Sequence, residues 1–447
     1  MVSAVEQLAK NANFGALSKA TELKRRIMFV LGALLVYRLG TYIPVPGIDP
    51  VVWSEIFTQK GGGILDMFNM FAGGALQRMT IFALNIMPYI SASIIMQLAT
   101  SMSPRLEAMK KEGETGRMKI NQYTRYFTVL LAAIQAYGLA VGLENLQGSS
   151  GSAVIDPGIF FRVSTVISIV GGTVFLMWLG EQITQRGVGN GISLIIFAGI
   201  VAELPRAVAS TLELGRQGQF NFLELLLMFA MVAGVIVLIV FMERAQRRVV
   251  VQYPKRQVGN KMMMGDQNFL PLKMNTSGVI PPIFASSLLL LPLTIVGFSG
   301  AEGGDLTAGI ARLLQHGQPA YMFLYGSLII FFCFFYTAVV FNPQENADML
   351  KRYGGFVPGI RPGKPTAEYL DYVLTRITTV GGLYLVFICL LPEFLLARYS
   401  MPFYFGGTSL LIVVTVTLDT VAQIHSHLIA HQYEGLIKKS KLRGRKR

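Results

Sequence analysis

Apolar runs of about 20 residues, the length that crosses a bilayer as a helix, recur ten times along the chain. They lie near residues 27–43, 79–99, 123–142, 159–179, 188–205, 220–242, 274–297, 319–341, 374–392 and 403–424. A different pattern separates the first two. Gly61-Gly62-Gly63 and Gly73-Gly74 bracket Ile64, Leu65, Asp66, Met67, Phe68, Asn69, Met70 and Phe71, a stretch of mixed polarity. As a helix this piece reaches about 15 Å, half of what a bilayer requires. Glycine clusters are poor helix interior and good hinges. A half-length helix carrying Asp66 and Asn69 has to sit against protein or in a wet cavity, because lipid offers its polar groups no partner.

Five runs precede the stretch 206–219 and five follow it. Halves with an odd number of crossings insert with opposite orientation, as an inverted repeat requires. The pattern therefore predicts an all-α membrane protein with ten transmembrane helices in two inverted five-helix halves, 27–205 and 220–424, and a short re-entrant helix over about 63–73. A segment 1–26 precedes them, a hinge loop at 206–219 joins them, and a flexible tail at 425–447 follows. Loop 243–273 alternates Arg247-Arg248 and Lys255-Arg256 with Val249-Val250-Val251 and Tyr253, which predicts a β-hairpin-like protrusion. Loop 342–373 carries Gly359-Ile360-Arg361-Pro362-Gly363-Lys364-Pro365, and its glycines and prolines predict a shaped tip.

Composition agrees with that class. Hydrophobic residues are 52% and charged residues 14% of the 447, against about 25% charged in soluble domains. The net charge is +14, and 31 of the 39 Lys and Arg residues fall in segments that alternate to one side of the membrane. The other side holds only Lys60, Arg78, Arg162, Arg206, Arg216, Arg312 and Arg398, with Arg38 inside the first run. That bias places both termini and both basic loops in the cytoplasm. No cleaved leader is expected, since the first apolar run begins at Ile27 after Lys24-Arg25-Arg26 and has spanning length. Cys333 and Cys389 lie within apolar spans and read as small core residues.

Catalytic chemistry is scarce. His425, His427 and His431 lack the intervening glutamate of a zinc protease motif, and read as residues at a helix end. Gly359-x-x-x-Gly363-Lys364 is one residue short of a phosphate loop and is followed by Pro365. No G-x-S-x-G elbow occurs. No enzyme activity, metal or cofactor is expected, so the driving force must come from outside the chain. Intramembrane polar residues are few: Asn85, Ser91, Ser93, Gln97, Gln135, Glu181, Gln182 and Asp419. None makes the paired midplane site of a coupled transporter. Ile86/Ile90 and Ile192/Ile196, each four residues apart, suggest an apolar constriction instead.

Five motifs then carry a family resemblance over essentially the whole chain. They are Ile86-Met87-Pro88-Tyr89-Ile90-Ser91-Ala92-Ser93-Ile94-Ile95, Lys110-Lys111-Glu112-Gly113-Glu114, Arg186-Gly187-Val188-Gly189-Asn190-Gly191-Ile192-Ser193, Phe356-Val357-Pro358-Gly359-Ile360-Arg361-Pro362-Gly363 and Phe405-Gly406-Gly407-Thr408-Ser409-Leu410-Leu411-Ile412. The chain resembles the SecY family, the large subunits of the bacterial Sec translocon. The resemblance implies two halves around a central pore that opens sideways to lipid. It implies a plug at about 63–73 and a pore ring of Ile86, Ile90, Ile192, Ile196, Ile283 and Ile412. It further implies a lateral gate with Ser91 and Gln135 as polar contacts, and docking through Arg247, Arg248, Lys255, Arg256 and Arg361.

The implied partners are SecE and SecG in a heterotrimer, the SecA ATPase, the ribosome through its RNA, signal sequences and nascent membrane proteins, membrane lipid, SecDF and YidC. The implied setting is the bacterial cytoplasmic (inner) membrane. One departure falls in the first docking loop, where Asn260-Lys261 stands at a position that relatives can fill with an Arg pair. The rival reading is a coupled secondary transporter for a small solute, which shares the repeat and the broken helix but needs a polar midplane site. An intramembrane enzyme comes third, for want of a nucleophile, base or metal set.

Overall fold

Apolar runs long enough to satisfy all their backbone groups internally become helices. The computed structural model describes residues 21–60, 69, 72–145, 147–148, 151–218, 221–253, 256–258, 261–263, 267–298, 318–399 and 407–444. In chain order its helices are α1 (Thr21–Gly40), α2 (Pro50–Lys60), α3 (Met87–Met102), α4 (Pro104–Lys111), α5 (Glu114–Asn145), α6 (Ile159–Arg186) and α7 (Gly191–Arg216). They continue with α8 (Phe222–Arg244), α9 (Ile280–Phe298), α10 (Pro319–Val340), α11 (Pro343–Arg352), α12 (Lys364–Tyr399) and α13 (Gly407–Gly444). Every stretch for which the sequence predicts a crossing carries a helix. Among the described residues, seven helices are long and apolar enough to cross a membrane, and they include α5, α6, α7, α8 and α10. The predicted plug residues Ile64, Leu65, Asp66, Met67, Phe68, Met70 and Phe71 lie outside the described residues, as does Lys255.

The chain divides into two units that do not coincide with its sequence halves. The first comprises residues 1–89, 129–204 and 416–447. Its centre is the fully buried Tyr37 of α1, stacked at 6.2 Å on Phe82, which stacks at 6.0 Å on Phe175 of α6. Toward the other end of α1, Leu23 and Val188 form a second cluster with Ile27, Ile424 and Leu428. Trp53 of α2 buries its ring and donates its indole N–H to the Leu76 carbonyl at 2.9 Å.

The predicted crossing at 79–99 is helical only from Met87 onward. Residues 72–86 form consecutive turns, with Met79 at φ 43° and Asn85 at φ 49°. Their backbone groups find partners outside a helix: Val45 donates to the Met79 carbonyl at 2.9 Å and Ile81 donates to that of Ile43 at 3.0 Å. Pro88, with no N–H to give, suits the first turn of α3 that follows.

The second unit comprises residues 90–128 and 205–415. α8 opens with a capping box, in which the Asn221 N–H donates to the Glu224 carboxylate at 3.0 Å. The alternating loop after it is a β-hairpin. After the short antiparallel pair β1 (Gln147–Gly148) and β2 (Gly151–Ser152) of the first unit, β3 (Gln246–Gln252) pairs antiparallel with β6 (Gln267–Lys273), from Gln246 opposite Lys273 to Gln252 opposite Gln267. Beyond them, β4 (Arg256–Val258) pairs antiparallel with β5 (Lys261–Met263). On one face of the hairpin, Val249 and Leu272 bury against Val357 of the next loop and Ile377 of α12, with Leu270, Phe341, Ile360 and Val373 around them. The two basic loops thus share one apolar core. In the membrane helices, Phe284 of α9 meets Phe332 of α10 edge-on at 5.8 Å.

Two connecting segments differ from expectation. Most of 206–219, read as a hinge loop, continues α7 as helix to Arg216, because Ala207, Leu212, Glu213 and Leu214 are ready helix formers despite Pro205 inside the helix. The helix stops at Gly218, whose φ of 79° suits glycine. Likewise 425–444, the described part of the segment read as a flexible tail, prolongs α13 in helical form; Leu428 and Ala430 favour it.

Candidate channel lining and docking loops

The six candidate ring isoleucines fall three to each unit. Ile86, Ile192 and Ile196 belong to the first, and Ile90, Ile283 and Ile412 to the second. Ile86, Ile90, Ile196 and Ile412 are buried, and Ile192 and Ile283 are half-buried. None lies on the exposed surface, where large aliphatic and aromatic side chains such as Val237, Phe241 and Phe331 stand. Ile192 and Ile196 share a face of the first turns of α7. Ile86 does not share a helix with Ile90: it sits in the turn just before Met87, the first residue of α3.

The glycine-rich motif 186–193 explains how Ile192 is aimed. Gly191 opens α7 against α6, where a Cβ would run into the Gly180 carbonyl oxygen, and its N–H donates to Thr184 Oγ1 at 2.8 Å. The side chain of Asn190 then accepts the Ile192 N–H at 3.1 Å. Two residues earlier, the Gly189 N–H donates to Gln423 Oε1 of α13 at 2.8 Å. One short turn therefore fixes α6, α7 and α13 together. At the other end of the sequence, Thr408, Ser409, Leu410, Leu411 and Ile412 form the buried first turns of α13.

Of the candidate gate residues, Ser91 on α3 is buried and Gln135 on α5 is half-buried; they belong to different units. Asn69, the one described residue among the candidate plug positions, is buried and accepts the Gln77 N–H at 2.8 Å on its side-chain oxygen. Among the docking candidates, Arg247, Arg248 and Arg361 are exposed. Arg361 occupies a loop held by its own backbone, whose carbonyl accepts the Thr366 hydroxyl at 2.8 Å. The neighbouring Gln252 and Phe356 form an antiparallel bridge that links this loop to β3.

The sequence pattern does not show two polar clusters. Arg38 and Arg78 converge on the Gly73 carbonyl, at 2.7 and 3.0 Å, and the Glu203 carboxylate lies 4.0 Å from Arg38. An arginine inside an apolar run is the signal that could have revealed this cluster. The second lies where α8 ends. Asn275 donates to Glu243 at 2.5 Å and to the Gly278 carbonyl at 3.1 Å, and its side-chain oxygen accepts the Ser277 hydroxyl at 3.2 Å. Ser277 in turn meets Cys333 Sγ at 3.2 Å.

Long apolar helices, a crossing broken by turns, buried aliphatic positions in both units and a fused pair of basic loops define a polytopic α-helical membrane protein. Comparison with known proteins makes the class specific. The SecY family pattern matches residues 80–421. The protein translocase subunit SecY of Escherichia coli (strain K12) is 58% identical over 424 residues, covering 95% of this chain and 96% of that one. A solved SecY structure, described as showing that the plug domain stabilises the closed state of the translocation channel and maintains a membrane seal, matches with a TM-score of 0.63. It is 19% identical and covers 90% of this chain and 92% of that one. Sec61 in the canine ribosome-channel complex from the endoplasmic reticulum matches with a TM-score of 0.61 at 17% identity, with the same coverage.

The chain belongs to the SecY family of protein translocase subunits. Its fold is that of the SecY and Sec61 channels, and it serves as a protein-conducting channel.

Proposed function

We propose that the chain passes unfolded polypeptides across the bacterial cytoplasmic membrane and releases transmembrane segments sideways into lipid, with both termini in the cytoplasm. Ile86, Ile90, Ile192, Ile196, Ile283 and Ile412 form the neck of the pore, and residues 63–73 close it at rest. Aliphatic side chains suit this task because they offer a passing chain no hydrogen bond to be held by, and a narrow apolar neck excludes water and ions by dewetting. An apolar segment in the pore gains about 0.8 kcal/mol per CH₂ buried in lipid. It therefore biases the open state, in which it reaches lipid past Ser91 and Gln135.

Arg247, Arg248, Lys255, Arg256 and Arg361 receive the driving partner, either the SecA motor or the polyanionic RNA of a ribosome. SecE and SecG complete the heterotrimer, and SecDF and YidC join it for export and insertion. The reading is carried by one observation: all six neck positions hold isoleucine, and none is among the exposed apolar residues. Its test is cross-linking to a polypeptide arrested in transit. Single cysteines at 283 and 412 are expected to capture the arrested chain, while cysteines at the exposed positions 237 and 331 are not. Equal capture at all four would overturn the assignment.

A further inference from the structure

Two guanidinium groups on one carbonyl oxygen repel each other unless a negative charge stands between them. Arg38 and Arg78 make this arrangement at Gly73, the residue where the 63–73 stretch ends. Each arginine has a further anchor. Arg38 reaches the Tyr42 hydroxyl at 3.3 Å, while Arg78 donates to the Thr41 carbonyl at 3.1 Å and lies 4.3 Å over the Tyr42 ring. Glu203 comes from α7. Its side chain is 15% exposed and lies 4.0 Å from the Arg38 guanidinium. A Cβ on Gly74 would stand 2.5 Å from Glu203 Oε1 and 2.9 Å from Arg78 Nη2, so the carboxylate and the second guanidinium flank the same backbone atom. All these groups belong to the first unit.

We infer that Glu203 is a positioning residue: it holds Arg38 and Arg78 together on the Gly73 carbonyl and so sets how firmly the closing segment is fastened at its C-terminal end. Charge compensation is the physical reason. In a half-buried site a carboxylate beside two cations offsets their mutual repulsion, and each charge-assisted bond to the carbonyl then keeps its full strength. Without that charge one arginine leaves, and Gly73 is held by a single donor. Asn69, which accepts the Gln77 N–H and whose carbonyl accepts the Gly74 N–H at 2.9 Å, remains as the inner stitch. The inference rests on reading residues 63–73 as the plug.

The test uses the complete complex in planar bilayers and in cells exporting a reporter with a weakened signal sequence. Glu203→Gln is expected to raise both resting ion conductance and weak-signal export by roughly two- to tenfold, and to add little once Arg38→Gln is present, as residues of one network do. Glu203→Asp, which keeps the charge, is expected to stay near wild type. Should Glu203→Gln fail to assemble, Gly74→Ala puts a methyl 2.5 Å from the Glu203 carboxylate and 2.9 Å from the Arg78 guanidinium, displaces both and is expected to leak likewise. Deletion of residues 64–71 separates the two readings. If the deletion leaks and both substitutions seal normally, or if the Glu203→Gln effect adds in full to Arg38→Gln, the fastening role is overturned. If the deletion itself changes neither readout, the plug reading falls and the inference with it.

Discussion

Gln252 and Phe356 exchange both of their backbone hydrogen bonds, each 2.9 Å long, and join β3 to the turn that leads to Arg361. The pair ties together two basic loops about a hundred residues apart in sequence, the ones proposed to dock the driving partner. Gln252→Pro removes the donor and the fit. SecA-driven translocation into vesicles is expected to fall severalfold with every arginine intact, while limited proteolysis newly cuts within 353–363. Unchanged resistance to protease would show that the loops hold their shape independently.

Arg361 is exposed, and the shape of its loop depends on its carbonyl rather than its guanidinium. Reversing the charge therefore changes the field at the proposed docking surface and leaves the fold alone. Arg361→Glu is expected to abolish motor-driven transport in a complex of normal yield and thermal stability. Normal transport by this variant would remove Arg361 from the contact.

The neck is expected to lose its seal gradually. Replacing three or more of Ile86, Ile90, Ile192, Ile196, Ile283 and Ile412 by Ser is expected to let water into the proposed apolar neck. Planar-bilayer recordings of the resting complex are expected to show higher ion conductance with each added serine. Conductance that stays at the wild-type level would place the seal elsewhere.

Gly191→Ala tests the tight turn that aims Ile192. The added methyl meets the Gly180 carbonyl, and α6 and α7 have to separate to admit it. Such overpacking costs about 1–3 kcal/mol. Thermal unfolding of the purified complex is expected to begin at a lower temperature, and Thr184→Val, which strips the acceptor from the Gly191 N–H, is expected to act in the same direction. Midpoints equal to wild type for both would mean that the turn is not under this constraint.

Much of this fold is legible from hydrophobic runs alone, because a chain in lipid has to close its own backbone hydrogen bonds. The hairpin at 246–273 is legible too, since the alternation of Arg247, Val249 and Val251 with their neighbours follows the strand period. What the runs cannot show is where an apolar stretch stops being helical. Residues 79–86 are as greasy as the helix after them, yet partners such as Ile43 and Val45 take up their backbone groups, and the chain turns. The extension of α7 past 205 was hidden for the converse reason: residues 206–216 are polar enough to read as loop while their propensities favour helix. In the candidate site, Ile86, Ile90, Ile192, Ile412 and Arg361 lie within the motifs, whereas Ile196 and Ile283 follow from the position-by-position resemblance. Glu203 was not legible, because its significance depends on two arginines more than a hundred residues upstream.

The apolar core shared by Val249, Leu272, Val357 and Ile377 has a mechanical consequence. Close-packed side chains barely compress, so a load applied at either basic loop is not absorbed at their base. It is delivered to α12, and on the proposed function a partner pushing on these loops works a lever long and apolar enough to cross the bilayer.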